Sequence, residues 1–238
     1  MNMTERNSTT NKKRIEGLAN LEYANVRVLL DFDDYNISDD TRLLIPFSYY
    51  QYYGLMNQKG EVVVEPKFDR IIDSCHSKSD VIRVGIHYTN GVGRTTATYL
   101  RTKWGLVDSE GNFILEPVYR GIGVSTDNRT LTLQHNDGQY EVINIEGKVI
   151  VPKGKYSWID SFDKGLARVN FFDGENKKYG IIDDLGNEVL PLVYSNIWNF
   201  FNKDRDWTTI EAIDEHGDKR VGEFNLLTRK VSLSYAKQ

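Results

Sequence analysis

Cysteine is almost missing from this chain. Cys75 is the single one in 238 residues, which excludes an intramolecular disulfide and a thiolate metal cluster and fits a reducing compartment. Long apolar runs are missing too. No stretch approaches the ~18–20 apolar residues that a membrane helix needs, and the opening segment, Met1 to Arg14, is polar, with no apolar core of signal-peptide length. The expectation is a soluble, cytoplasmic protein that engages no membrane. An excess of positive charge is absent as well: 30 Lys and Arg against 34 Asp and Glu give a net charge of −4. Nothing here matches the backbone of a nucleic acid, and no nucleic-acid partner is expected. Methionine is scarce, at 3 residues, whereas tyrosine reaches 14, a balance that favours strands over helices.

What is present is a repeat. Four segments superpose through their first turn: YGLMNQKGEVVVEP from Tyr53, WGLVDSEGNFILEP from Trp104, YEVINIEGKVIVP from Tyr140 and YGIIDDLGNEVLP from Tyr179. An aromatic opens each one. Asn57, Asp108, Asn144 or Asp183 follows four residues later, and Gly60, Gly111, Gly147 or Gly186 three after that. Asx can accept backbone N–H groups forward across a tight turn, and glycine accepts the left-handed conformation that closes it. Flanked by two short β-rich runs, the pattern predicts a hairpin. Pro66, Pro117, Pro152 and Pro191 come after the second run, where a missing N–H donor is expected to end the strand.

A second element follows each proline: Phe68 to Ile71, Tyr119 to Ile122, Tyr156 to Ile159 and Tyr194 to Ile197, an aromatic and then Ile three residues later. It reads as a side chain that plugs the core ahead of a short strand. Further strands are expected at Val81–Ile86, Leu131–Gln134, Leu166–Asn170 and Thr208–Ile213, so that each unit holds about four short antiparallel strands, the content of a propeller blade. The ends carry half-copies. Tyr23 to Val26 matches the second element, followed by Val26–Phe32 and Leu43–Pro46, and Val221 to Asn225 matches the first, followed by Lys230–Leu233. Thr228 stands where the turn glycine belongs in that last half, so a distorted turn is expected there. Two complementary halves predict a fifth blade shared by the termini, which would remove exposed edges. The expected fold is all-β: a five-bladed, propeller-like ring closed by its N- and C-terminal half-repeats, with an open β-solenoid of the same repeats as the alternative. Residues 1–20 read as a flexible or irregular segment, and residues 21–238 as one repeat domain.

These residues carry a resemblance. Trp104-Gly105 with Asp108 and Gly111, Glu116-Pro117 with Tyr119, and Phe162 through Gly165, Leu166, Ala167 and Val169 resemble the bacterial WG-repeat, or KWG-type, pattern. Only one unit has a true Trp-Gly; two have Tyr-Gly, and the third has Glu141 in the glycine position. The resemblance implies an interaction module and names no partner.

Chemistry is harder to find. His76, His87, His135 and His216 form no H-x-x-E-H or H-E-x-x-H arrangement. Cys75-His76 is suggestive, since an imidazolium lowers a thiol pKa, but neighbours on a strand point to opposite faces. The acidic residues Asp31, Asp33, Asp34, Asp39 and Asp40 offer oxygen ligands yet lack the glycine and terminal glutamate of a calcium loop. Gly91 to Thr96 lacks the Walker pattern, and Asn90-Gly91 reads as a hairpin turn. The recurring Asx residues are explained by turns, and the recurring aromatics by core. Trp158, Trp198 and Trp207 do not recur at matched positions, which leaves some of them for the surface. The first unit is longer than the rest, and Cys75–Arg101 is an expected binding insertion.

No catalytic residue, metal site or cofactor is therefore expected. The reading is a non-catalytic module that binds a protein or small ligand through loops on a rigid β scaffold, with a protein as the expected partner. The rivals are a hydrolase-type enzyme with its site in a central funnel and a purely structural scaffold.

Overall fold

The computed structural model describes residues 26–28, 44–57, 60–72, 81–88, 102–198, 206–214 and 216–235. They form five four-stranded antiparallel sheets, with no helix among the described residues. The first sheet is Val26–Val28 (β1), Ile45–Tyr49 (β2), Tyr52–Met56 (β3) and Val62–Phe68 (β4). Next come Arg70–Ile72 (β5), Val81–His87 (β6), Thr102–Asp108 (β7) and Phe113–Tyr119 (β8). Gly121–Val124 (β9), Thr130–Gln134 (β10), Tyr140–Asn144 (β11) and Val149–Val151 (β12) make the third. Trp158–Ile159 (β13), Leu166–Phe172 (β14), Lys177–Asp183 (β15) and Glu188–Tyr194 (β16) make the fourth. The last is Asn196–Trp198 (β17), Trp207–Ile213 (β18), Lys219–Asn225 (β19) and Val231–Tyr235 (β20).

Every sheet is thus built from strands consecutive in sequence. This corrects the expectation that the two terminal half-repeats share a blade. The opening half pairs with the first hairpin, Val28 opposite Phe47 and Phe47 opposite Gly54. The closing half pairs with the strand before it, Thr209 opposite Glu223. The cause is local. A single residue joins β4 to β5, β8 to β9 and β16 to β17, too short for a hairpin, so the chain must leave its sheet there. Asp69, Arg120 and Ser195, the joining residues, already donate their N–H groups to the next sheet, to Gly85, Gln134 and Glu211. The structural unit is therefore the latter half of one repeat plus the hairpin of the next.

The turns are built as the pattern dictates. Asp108 Oδ1 accepts the Glu110 and Asn112 N–H groups at 2.9 and 2.8 Å. Asp183 does the same for Leu185 and Asn187, and Asn144 accepts from Lys148 at 2.7 Å. Gly111 sits at φ +85° and Gly186 at +83°, where a Cβ is disfavoured. Burial alone would raise the Asp183 carboxyl, but hydrogen bonds from Asn187 and Leu185 outweigh it and hold the group below its ordinary range.

The closing half-repeat solves its missing glycine differently. β-branched Thr228 resists positive φ, and the loop takes one residue more: Arg229 donates its N–H to the Asn225 carbonyl and holds φ +57°. Arg229→Gly is expected to stabilise the chain by roughly 0.5–1 kcal/mol, the relief of that strain less glycine's greater freedom when unfolded. A urea denaturation midpoint that falls instead would contradict the assignment of strain to Arg229.

Proline does not end the second strand in three of the four hairpins. Pro66, Pro117 and Pro191 lie inside β4, β8 and β16, each at the edge of its sheet, where an outward position needs no N–H donor. Register shifts mark bulges opposite Gly54, Gly105 and Gly180. Through that bulge the edge strand passes directly over the glycine: a Cβ there would lie 2.6 Å from Val64 O, 2.6 Å from Leu115 O and 2.7 Å from Leu190 O, respectively. Where Glu141 replaces glycine, β12 stops at Val151 and Pro152 lies outside it.

Contacts divide the chain into two compact units, Met1–Tyr119 and Arg120–Gln238. In the first, Leu55, Val64 and Phe68 of one sheet pack against Ile82, Val84 and Val107 of the next. In the second there are two inter-sheet cores. Val142, Val151 and Tyr156 meet Ile159, Ala167, Val169 and Ile182; Leu166, Ile181, Leu190 and Tyr194 meet Ile197, Ile210 and Phe224. Phe68, Tyr156 and Tyr194 are the buried aromatic plugs that the second element predicts.

Candidate functional site

In β14, alternate residues face opposite ways. Ala167 and Val169 enter the core toward the third sheet, while Leu166 enters the core toward the fifth. Arg168, Asn170 and Phe172 share the face of Leu166. Cross-strand pairing sets Trp158 and Tyr179 on either side of Asn170, and Lys177 beside Phe172. Ser157, Trp158, Arg168, Asn170, Phe172, Lys177 and Tyr179 together line a groove of about 630 Å³, open to solvent.

Polar detail gives the groove its character. Asn170 is 2% exposed; its side-chain amide bonds no described residue and keeps contact with solvent through the groove it lines. The amide carries two donors and an acceptor. Arg168 is held on three sides: Nε donates to Asp160 at 3.0 Å, a terminal nitrogen donates to Ile197 O at 2.6 Å, and the guanidinium lies over the Trp158 ring. Lys177 lies 5.4 Å from the centre of the Tyr179 ring and makes no ion pair among the described residues. Phe172 is 52% exposed, its N–H donating to the Ser157 hydroxyl at 2.9 Å. The groove thus offers three aromatic faces, one ammonium with no ion pair among the described residues and one amide that bonds none of them.

Burial pushes the Asp160 carboxyl up to about 6, against the opposing charge and hydrogen bond of Arg168. Unfolded, an aspartate titrates near ~3.9, so between about pH 4 and 6 the native state holds more protons. From this group, stability rises as pH falls through that window, by at most ~1.4 kcal/mol per pH unit. Asp160→Asn is expected to abolish that component, gaining on the parent chain as pH is raised from 4.5 to 7.5 in urea titrations. Parallel curves for the two proteins would refute it.

The residues singled out by sequence fall elsewhere. His87 lies 3.7 Å from Asp69, and His135 hydrogen-bonds Glu141 at 2.9 Å; His216 lies in the turn made by Asp214. No group of three or more His, Cys, Asp or Glu able to hold a metal occurs among the described residues. Cys75-His76, the acidic residues 31–40 and Gly91 to Thr96 lie outside the described residues. Of the Cys75–Arg101 insertion only 81–88 is described, and it is no insertion: β6 is the regular second strand of its sheet, paired with β5 and β7. Among the three tryptophans, Trp198 is about half exposed.

The groove itself escaped the sequence reading. Its signal is Asn170, a polar residue on the Leu166 face, followed by Phe171 and Phe172 at the strand end. In the second sheet the position paired like Asn170 is Gly85, and the Trp104 ring lies over it.

The model of the WG-containing repeat family matches residues 53–74, 104–132, 142–174 and 179–205. The chain is a WG-repeat protein. Each match opens in a hairpin and runs on into the next sheet, which is the half-unit offset seen in the strand pairing. No curated protein matches this WG-repeat chain. Among solved structures it is similar to Kluyveromyces lactis Hsv2 (11% identity, TM-score 0.42, covering 82% of this chain and 61% of that one). It is also similar to TolB from Acinetobacter baumannii (12%, TM-score 0.35, 79% and 49%). A third is the β-propeller domain of the Trilobed protease from Pyrococcus furiosus (14%, TM-score 0.37, 68% and 56%). The WG-repeat chain spans less than two thirds of each. At such identities and TM-scores the activities of those proteins say nothing about this one.

Proposed function

We propose that this WG-repeat chain is a non-catalytic interaction module whose partner seats in the groove of the fourth sheet. The observation that carries the reading is the groove itself, a concave surface in which aromatic side chains flank an Asn170 amide that bonds no described residue. Such a mix of apolar walls and a few convergent polar groups is what recognition sites share, and stacked sheets hold it rigid. Its position is on strand side chains, not on the loops that the sequence favoured.

A photo-crosslinking residue in place of Phe172, irradiated in extract of the source cell, is expected to give discrete adducts by intact-protein mass spectrometry. The same residue in place of Leu185, 75% exposed in a turn of the same sheet, is the control. No adduct at 172, or the same adducts at both positions, would overturn the reading.

A further inference from the structure

We propose that the occupant of this groove is an extended, acidic peptide segment of a partner protein, its backbone read by Asn170 and its acidic side chain by Lys177. The inference rests on the interaction reading above and deepens it. The groove's volume, about 630 Å³, lies within the ~300–1,000 Å³ of ligand sites. Small ligands, however, are enclosed over most of their surface, whereas this groove is open to solvent, as suits a segment of a longer chain. The Asn170 amide offers a donor and an acceptor together, the complement of a peptide group. At a site 2% exposed, both bonds form largely out of bulk water, where they are stronger.

Charge selects the side chain. The Arg168 guanidinium is neutralised by Asp160 at 3.0 Å, so it acts as a stacked wall on Trp158 and not as a free cation. Lys177 is the charge left over, held above Tyr179. An acidic residue of the peptide meets it there, while apolar residues on the same peptide face lie against Trp158, Phe172 and Tyr179. An extended chain alternates its side chains at a period of two, so a segment that alternates acidic and apolar residues fits best.

The test uses the full chain and two fluorescently labelled, end-capped octapeptides: alternating glutamate and phenylalanine, and alternating lysine and phenylalanine. Fluorescence anisotropy is expected to show saturable binding of the acidic probe and at least tenfold weaker binding of the basic one. Asn170→Leu and Lys177→Glu are each expected to weaken the acidic probe at least tenfold, and Lys177→Glu to reverse the preference. Lys177 is exposed near a strand end, so that variant stays informative should Asn170→Leu misfold, which circular dichroism reports. The proposal falls if the acidic probe does not saturate, if both probes bind alike, or if Lys177→Glu changes nothing. It also falls if N-acetylphenylalanine displaces the probe as well as an unlabelled acidic octapeptide does, the result for a small-molecule site. Adducts at position 172 without acidic-peptide binding would remove this ligand class and leave the interaction reading standing; loss of both would remove both.

Discussion

Gly105→Ala and Gly180→Ala are each expected to lower stability by about 3 kcal/mol, the upper range of overpacking penalties. Neither glycine has positive φ. If flexibility were all that mattered, alanine would stabilise by ~0.4–1 kcal/mol through the unfolded state. The opposite sign comes from the bulged edge strand. A Cβ at 105 would meet Leu115 O at 2.6 Å and Pro117 N at 2.8 Å, and at 180 it would meet Leu190 O at 2.7 Å. Backbone atoms held in a ladder cannot swing aside as a side chain does. Glu141 is the natural control, since its strand partner already stops short. Glu141→Gly is expected to cost no more than ~1 kcal/mol, glycine's entropy plus a part-exposed contact to His135. Urea denaturation of the three variants checks the sign as well as the size.

Phe224→Ala is expected to cost ~3–5 kcal/mol, as for other fully buried aromatics. Phe224 belongs to the closing half-repeat, is 0% exposed, and packs with Ile197 and Ile210 of its own sheet and Leu166, Ile181 and Tyr194 of the preceding one. The ring lies between two sheets, so its loss opens a cavity that neither can collapse into alone. A cost below 1 kcal/mol would mean that the last hairpin is an appendage and not the completion of the fifth sheet.

Much of the fold is legible in the residues, because turns and strands depend on nearest neighbours. Asn57, Asp108, Asn144 and Asp183 make the turns that their spacing to glycine requires, and β6, β10, β14 and β18 lie where β-rich runs stand. The phase of the repeat was the harder matter. Identical halves can be joined two ways, and only the one-residue links at Asp69, Arg120 and Ser195 decide between them, through the minimum length of a hairpin. The role of the Trp-Gly glycine was hidden for a similar reason: it answers to a strand ten or more residues away. The groove was least legible of all. Asn170 looks like any polar strand residue until pairing puts Trp158 and Tyr179 on either side of it.

Cross-strand NOEs between Hα and amide protons test the half-unit offset most directly. The structure predicts ladders joining Thr209 to Glu223 and Arg27 to Ser48. A ladder joining residues 26–28 to residues 231–235, with those two missing, would contradict it.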